Sequence, residues 1–441
     1  MTWKNRDRKN KIRLVIFAAA VFIGATSFFI WNFNRTHTSL LELVNIFQPD
    51  KNNAPPVEPL TPASSDKEIN YLNLVPKAIV VPESLAGKFK PKDKKLSIPV
   101  NASVSVFAAG FKKLRFMVIS PGGWPKGEAG VLFVTESDTG RVLAMKDENN
   151  DGVADKIVVV ASGLNFPHGI VFHDNALWIA ETTRVTKIFD DNNDLIADRK
   201  TVVVDNLPNG GHHISRTIVF DEAGRFYVSV GSSCNVCIDD QRRAAILRFN
   251  ADGSGEEIFA KGSRNAVGIV FNPNTGELWG TENGRDLLGD DVPADEINIL
   301  KRGGDYGWPI CYGDKIHDTD FDKNRYVVDP CLGTVSPQIT MQAHVAPLGL
   351  RFVWNDSLPN ALQGDLLFAQ HGSWNRTVPV GYQVVRVINP AGNPGLSPFV
   401  NGWLEGTKAW GRPVDILDSQ NGEIFITDDY AGAIYRIVFD K

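Results

Sequence analysis

The chain has little that would let it handle a nucleotide or a nucleic acid. No Gly-x-Gly-x-x-Gly opens a βαβ unit, no Walker-type phosphate loop occurs, and no Gly-x-Ser-x-Gly elbow is present. Hydride chemistry, if the protein carries any out, has to draw on another bound cofactor. The formal net charge is -5 over 441 residues, which gives no electrostatic reason to expect a nucleic-acid partner. Cysteine is scarce, limited to Cys234, Cys237, Cys311 and Cys331. Ile238 stands where a covalent haem after Cys234 and Cys237 would need His, and no thioredoxin-like βαβ pattern surrounds that pair. If the body of the chain is exported, two disulfides, one within each pair, are the simplest reading. Without covalent haem, electrons taken from a substrate leave to a separate acceptor, a quinone or a cytochrome.

Long amphipathic helices are also missing. From about residue 115 onward, short apolar runs return with Gly, Asn and Asp between them, the pattern of an all-β fold. Arg141, Asp147 and Asp155 match Arg184, Asp190 and Asp198 at one constant offset of 43, a period that fits a four-stranded propeller blade. The unit of strand, turn, strand ending near an acid, and a further Val-x-x-Ile-like strand is readable six times up to VDILDSQNGEIFITDDYAGAIYRIV. Six units predict a six-bladed β-propeller. A strand near Val104 to Phe111 is placed to complete the last blade and close the ring, which removes open sheet edges.

The N-terminus differs in kind. Lys4, Arg6, Arg8, Lys9, Lys11 and Arg13 precede an uncharged run, Leu14 to Phe33, about as long as the roughly 20 residues a helix needs to cross a bilayer. The expected division is a basic cytoplasmic tail at 1–13, a transmembrane helix at 14–33, a Pro-rich tether at 34–70 and the propeller at 71–441, held outside the cytoplasm in the periplasm. A cleaved signal peptide has the same basic and apolar order and is the rival, although its apolar core is usually shorter.

In a propeller the loops at one end of the channel converge, so polar residues at equivalent loop positions face one pocket. His168 in NFPHG and His213 in GGHHIS stand just before the apolar strands that open neighbouring units. Their near-neutral titration suits proton transfer. The segments Asp147-Asn149-Asp151-Asp155 and Asp190-Asn192-Asp194-Asp198 space oxygens as calcium loops do. Val158 and Thr201 stand where an EF-hand needs its twelfth-position Glu, so tight Asx turns are the favoured reading and weak surface calcium the alternative.

Between Lys261 and Pro309 an Arg264-Asn265 pair, a Glu282-Asn283-Gly284 loop, an Asp295-Glu296-Ile297-Asn298 strand and a Gly303-to-Pro309 turn, GGDYGWP, follow one another. This order resembles the central part of the soluble quinoprotein glucose and sorbosone dehydrogenases. HGSWNRTVPVGYQVVRV and GRPVDILDSQNGEIFITDDYAGAIYRI, Gly411 to Ile437, are similar to the membrane-anchored sorbosone-dehydrogenase-like branch. The resemblance covers most of the chain after about residue 115 and implies a six-bladed propeller that binds pyrroloquinoline quinone and Ca2+ and oxidises a sugar, aldose or polyol.

Carried over residue by residue, the resemblance implies that His213 is the general base and that Arg264 and Asn265 stabilise charge on the quinone as it is reduced. His212 replaces an Asp of the family beside that base. Gly284 and Arg285 fall on the loop whose backbone carbonyls hold calcium, and Arg412 on an Arg that meets a cofactor carboxylate. His168 falls near a substrate-side Gln, and His371 or Arg376 near a cofactor-binding Lys. Two rivals on the same scaffold remain. One is a calcium-dependent lactonase-like hydrolase, for which Glu136, Glu181 and Glu282 are the ligands on offer. The other is a binding propeller without catalysis.

Overall fold

The computed structural model describes residues 72–121 and 130–440. Its strands form six four-stranded antiparallel blades around one channel. Blade one is Leu114–Ile119, Leu132–Glu136, Arg141–Lys146 and Lys156–Ala161, and blade two Gly169–His173, Ala176–Ala180, Val185–Phe189 and Arg199–Val204. Blade three is Ile218–Phe220, Phe226–Val230, Ala245–Phe249 and Glu257–Lys261, and blade four Ile269–Phe271, Leu278–Glu282, Asp295–Leu300 and Ile339–Met341. Blade five is Pro347–Phe352, Leu366–Gln370, Gln383–Ile388 and Gly395–Val400. Blade six takes Pro413–Asp418, Glu423–Asp428 and Ala433–Phe439 from the end of the chain and its outer strand, Ala102–Ala109, from the start. The expected closure near Val104 is therefore present, and it leaves the ring no seam that only loops would hold.

The second strand of each blade explains why the units read as apolar runs. LFVTE, ALWIA, FYVSV, LWGTE and LLFAQ are buried at every position, because other blades cover both of their faces. Aromatic rings join successive blades: Phe133 with Phe172, Trp178 with Phe226, Tyr227 with Phe271 and Trp279 with Phe352 lie 5.2–5.5 Å apart. Beneath them the threonines of the second or first strands donate to carbonyls of the next blade, Thr135 to His168 (2.8 Å), Thr281 to Leu348 (2.9 Å) and Thr427 to Arg115 (2.8 Å). Each such bond satisfies an inner-strand carbonyl that lies away from solvent.

Both cysteine pairs are bonded, Cys234–Cys237 and Cys311–Cys331. The second closes a feature the sequence reading did not resolve, an insertion at 301–338 between the third and fourth strands of blade four. Gly304–Asp305 of that insertion extends blade three by parallel pairing. The two Asp-Asn loops are turns on the outside of blades one and two: Asp147 Oδ2 accepts from Gly152 N (2.8 Å) and Asp190 Oδ2 from Leu195 N (2.9 Å). The expected segments 1–13, 14–33 and 34–70 lie outside the described residues. Among the described residues no helix is long and apolar enough to cross a membrane.

Candidate functional site

A cavity of about 490 Å³ opens at the end of the channel where loops of all six blades contribute, with His213, Arg264, Asn265, His371, Arg412 and Gly284 in its wall. His213 arrives on the loop before blade three. That loop is fixed by the fully buried Arg216, whose guanidinium donates to the carbonyls of His213 (2.8 Å), Ser215 (2.8 Å) and Pro208 (2.7 Å). Nδ1 of His213 meets the Ser232 carbonyl at 3.0 Å and Ser232 Oγ at 2.9 Å. Ser232 Oγ gives its own proton to the Cys234 carbonyl (2.7 Å), so both neighbours of Nδ1 are acceptors. Nδ1 therefore carries the ring proton and Nε2 is the basic nitrogen. Burial, and then the Arg264 charge, lower His213 to about 3, which keeps the imidazole neutral near neutral pH. His212 is exposed on the neighbouring turn, its ring 6.3 Å from that of His213.

Gly231 makes this arrangement possible. A Cβ there would lie 2.5 Å from the His213 Cβ and 2.7 Å from Asn265 Oδ1, so the absence of a side chain lets the imidazole and the amide stand side by side. Asn265 is held through its backbone, which donates to Glu282 Oε1 (3.1 Å) and accepts from Asn283 Nδ2 (3.2 Å). Its side-chain amide has no hydrogen-bond partner among the described residues and belongs to the cavity wall.

Arg264 is more committed than the sequence reading implied. Nε donates to the Asn235 carbonyl (2.8 Å), Nη1 to the carbonyls of Asn283 (3.0 Å) and Gly284 (2.8 Å), and Nη2 to Asn235 Oδ1 (3.0 Å) and Asp286 Oδ2 (3.1 Å). A guanidinium has five N–H groups, and the protein engages all of them. Arg264 offers the cavity its charge, not a free donor. The calcium expectation rested on the backbone carbonyls of Gly284 and Arg285. The Gly284 carbonyl, with that of Asn283, accepts from the Arg264 cation, and the Arg285 side chain reaches Asp318 (2.5 Å). These residues do not fit a calcium ion while Arg264 stands there, because two cations would share one set of carbonyls.

Behind the opposite wall, Asp429 joins two of the cavity-lining groups, Arg115 and His371. It accepts from Arg115 Nη1 (2.7 Å) and His371 Nε2 (2.8 Å). Burial pushes its carboxyl up, but the charges of His371, Arg115 and Arg412 outweigh that and hold it well below the usual carboxylate range. Arg115 Nη2 reaches His168 Nε2 at 3.2 Å. His168 is therefore not a cavity residue as expected. It is fully buried one layer down, with Nδ1 on Thr217 Oγ1 (3.3 Å), and it supports Arg115 from below. Arg376 is corrected in the same way: it binds the carbonyls of Asp290 and Ala343 and the carboxylate of Asp291 (2.9 Å), latching two loops together outside the cavity wall. His371 does line the cavity, as does Arg412.

Arg412 donates to the carbonyls of His371 (3.0 Å) and Gly372 and lies over the Tyr382 ring at 5.4 Å. Among the described residues it has no carboxylate within ion-pair distance, although its charge acts on Asp429. Two buried atoms of the cavity residues also lack partners, Arg115 Nε and Asn375 Oδ1. The sequence reading missed Arg115, Asp429 and Lys113. Flanking residues gave no signal for them, because the partner of Arg115 is 314 residues away.

The acids offered as lactonase ligands have other work. Glu136 binds the backbone N–H of Lys112 (2.7 Å) and Arg141, Glu181 binds Arg184 (2.7 Å) and Thr186 (2.5 Å), and Glu282 binds Asn265 N and Ser263. Each ties the end of a second strand to an adjoining loop, and none of the three lines the cavity.

The TrAA12-like family model matches residues 100–439. An uncharacterised protein of Borreliella burgdorferi is 32% identical over 365 residues, which is 78% of this chain and 91% of that protein. The pyrroloquinoline quinone-dependent pyranose dehydrogenase of Coprinopsis cinerea is 24% identical over 388 residues, covering 72% of this chain and 52% of that protein. The holo form of the PQQ domain of pyranose dehydrogenase from Coprinopsis cinerea shares the fold, with a TM-score of 0.66 at 20% identity over 82% of this chain and 100% of that one.

Proposed function

The chain belongs to the TrAA12-like family, and from that premise and the cavity chemistry we propose that it is an oxidoreductase that oxidises a sugar or polyol with pyrroloquinoline quinone. The observation that carries this reading is the pairing, in one cavity, of a neutral His213 whose Nε2 is bare with Arg412, a guanidinium that has no carboxylate of its own. A flat, polyanionic quinone fits that donor set: Arg412 and Lys113 meet its carboxylates, and the Asn265 amide is a further polar contact. When bound, the quinone supplies the two-electron acceptor for the hydride that leaves the substrate carbon.

The protein residues do the rest. His213 Nε2 takes the proton of the reacting hydroxyl as the hydride departs, and the Nδ1–H bond to Ser232 holds the ring in the accepting tautomer. The Asn265 amide donates to an acceptor oxygen, while the fixed charge of Arg264 favours the negative charge that accumulates there. Calcium is left out of this reading, since the oxygens around Gly284 already serve Arg264.

The sequence pattern supports a finer reading: a membrane-anchored sorbosone-dehydrogenase-like protein held by residues 14–33, with the propeller outside the cytoplasm and electrons passed to a separate quinone or cytochrome. Both disulfides agree with an oxidising compartment. The test is to titrate purified protein with the quinone, follow the cofactor absorbance, then add a panel of aldoses and polyols with a redox dye. Saturable binding and bleaching by a sugar are expected. Absence of binding at high quinone concentration overturns the reading.

A further inference from the structure

We propose that Asn235 is a positioning residue for Arg264, and that the Cys234–Cys237 bond is what holds Asn235 in that role. Asn235 does not line the cavity. It lies between the two bonded cysteines in the loop that follows the second strand of blade three, and its hydrogen bonds run to Arg264, Asp286 and Trp308. Its carbonyl accepts from Arg264 Nε (2.8 Å) and Trp308 Nε1 (3.2 Å). Its Oδ1 accepts from Arg264 Nη2 (3.0 Å) and Asp286 N (2.7 Å), and its Nδ2 donates to the Asp286 carbonyl (3.0 Å).

Two of the five Arg264 hydrogen bonds therefore end on this one residue, along one edge of the guanidinium fork. Such a planar fork is oriented by where its acceptors stand. The same residue pins Asp286, which supplies a further Arg264 acceptor, and Trp308 of the blade-four insertion. Asn235 thus gathers three loops of blades three and four around one cation. The cation in turn faces His213 and Asn265 across the cavity wall.

The linked cysteines fix the residue between them. The bond spans a sequence separation of 3, against 20 for Cys311–Cys331, so it closes a much smaller loop and constrains the unfolded chain less. Its main consequence is local: it sets the direction of the Asn235 carbonyl and side chain. Ser233, just before it, is held by Asp239 through N (2.6 Å) and Oγ (3.0 Å), which anchors the base of the same loop.

The cofactor arm of the test rests on the function proposed above, and the second arm does not. In the full-length protein, Asn235→Ala removes the Oδ1 and Nδ2 contacts and leaves the carbonyl, while Asn235→Asp restores the Oδ1 acceptor but not the Nδ2 donor to the Asp286 carbonyl. Quinone affinity is measured by absorbance titration, and His213 protonation by NMR in protein without quinone. Asn235→Ala is expected to weaken quinone binding by about tenfold and to raise the His213 midpoint by about one unit as the guanidinium drifts. Cooperative melting is retained, Asn235→Asp recovers part of the quinone affinity, and Cys234→Ser with Cys237→Ser moves both readouts in the direction of Asn235→Ala. Wild-type values for Asn235→Ala in both readouts overturn the proposal. So does a fall in melting temperature that Asn235→Asp does not repair while His213 stays put, since that marks a merely structural residue. Wild-type values for the double serine variant overturn the role of the disulfide. If wild-type protein binds no quinone, the proposed function falls, and the His213 titration alone decides the position of Asn235.

Discussion

His213 donates its Nδ1 proton to the Ser232 carbonyl at 3.0 Å, and Ser232 in turn donates its backbone N–H to the Arg264 carbonyl at 2.8 Å. The proposed base and the buried cation are therefore registered to each other through a single intervening residue. His213→Ala is expected to lower turnover by roughly 10²–10⁴-fold, the usual contribution of a general base. Quinone affinity should stay near that of the wild type, because Arg412 and Lys113 are untouched. Steady-state kinetics with a parallel absorbance titration separates the two; full turnover in the variant would remove His213 from the mechanism.

Gly231 tests the same spacing without touching the chemistry. A methyl group there meets the His213 Cβ at 2.5 Å, an atom next to the backbone that cannot swing clear, and Asn265 Oδ1 at 2.7 Å. Gly231→Ala should misplace the imidazole and the amide together and lower kcat by on the order of 10²-fold. Its melting temperature should change little, since the collision lies at the cavity wall and not in the core. Wild-type kcat would show that the two side chains tolerate separation.

Arg412 carries no carboxylate partner among the described residues, so its removal strands no buried anion of its own. Charge-assisted hydrogen bonds to an anionic ligand contribute about 1.5–3 kcal/mol, so Arg412→Ala is expected to weaken quinone binding by roughly 10- to 100-fold. Arg412→Lys should recover only part of this, because a point charge cannot bridge the His371 and Gly372 carbonyls as the fork does. Titration of the three proteins side by side checks the order.

Much of the fold was legible because a propeller repeats its burial pattern. The second strands are covered on both faces and read as unbroken apolar runs, and the Arg141 and Arg184 units carry the same turn chemistry at the same offset. The insertion at 301–338 was not legible, since it interrupts blade four and lends a strand to blade three. In the site, the recurrence of His168 and His213 at equivalent positions was visible, but the difference between them was not. Phe116 packs 4.5 Å from the His168 ring and Arg115 bonds it from the cavity side, so one histidine is sealed and the other is open. Both of those neighbours come from blade one, far from His168 in sequence. Asp429 reached Arg115 for a reason of the same kind, because ring closure brings the last blade against the first.

Glu282 predicts how stability responds to pH. Burial raises its carboxyl to about 8, with Ser263 and the Asn265 N–H opposing that rise. As pH climbs past the ordinary Glu value of about 4.3, the unfolded chain gives up this proton while the folded protein keeps it until about 8. Over that window the folded state is progressively disfavoured. Glu282→Gln cannot ionise, so its melting temperature should gain on the wild type by about 1–3 °C between acid and mildly alkaline pH. The remaining slope is shared by Asp295, Glu296 and Asp415, each raised to about 7 by burial, and by Asp365 and Asp428, raised to about 6. A variant that loses ground as pH rises would show that Glu282 is ionised in the folded protein.

Calcium decides whether Arg264 stays where it is. The carbonyls of Asn283 and Gly284 and the Asp286 carboxylate are the oxygens a divalent ion would want at this loop, and all of them accept from the Arg264 guanidinium. An ion entering here would have to expel a cation whose side chain is only 5% exposed and whose N–H groups would then need new partners in a buried setting. Quinone affinity is therefore expected to be the same in excess EGTA as in millimolar calcium, with Arg264 supplying the positive charge in both. A loss of binding on chelation, restored by calcium and not by magnesium, would mean that Arg264 swings into the cavity when the site is loaded, freeing the Gly284 carbonyl for the metal and the guanidinium for the quinone.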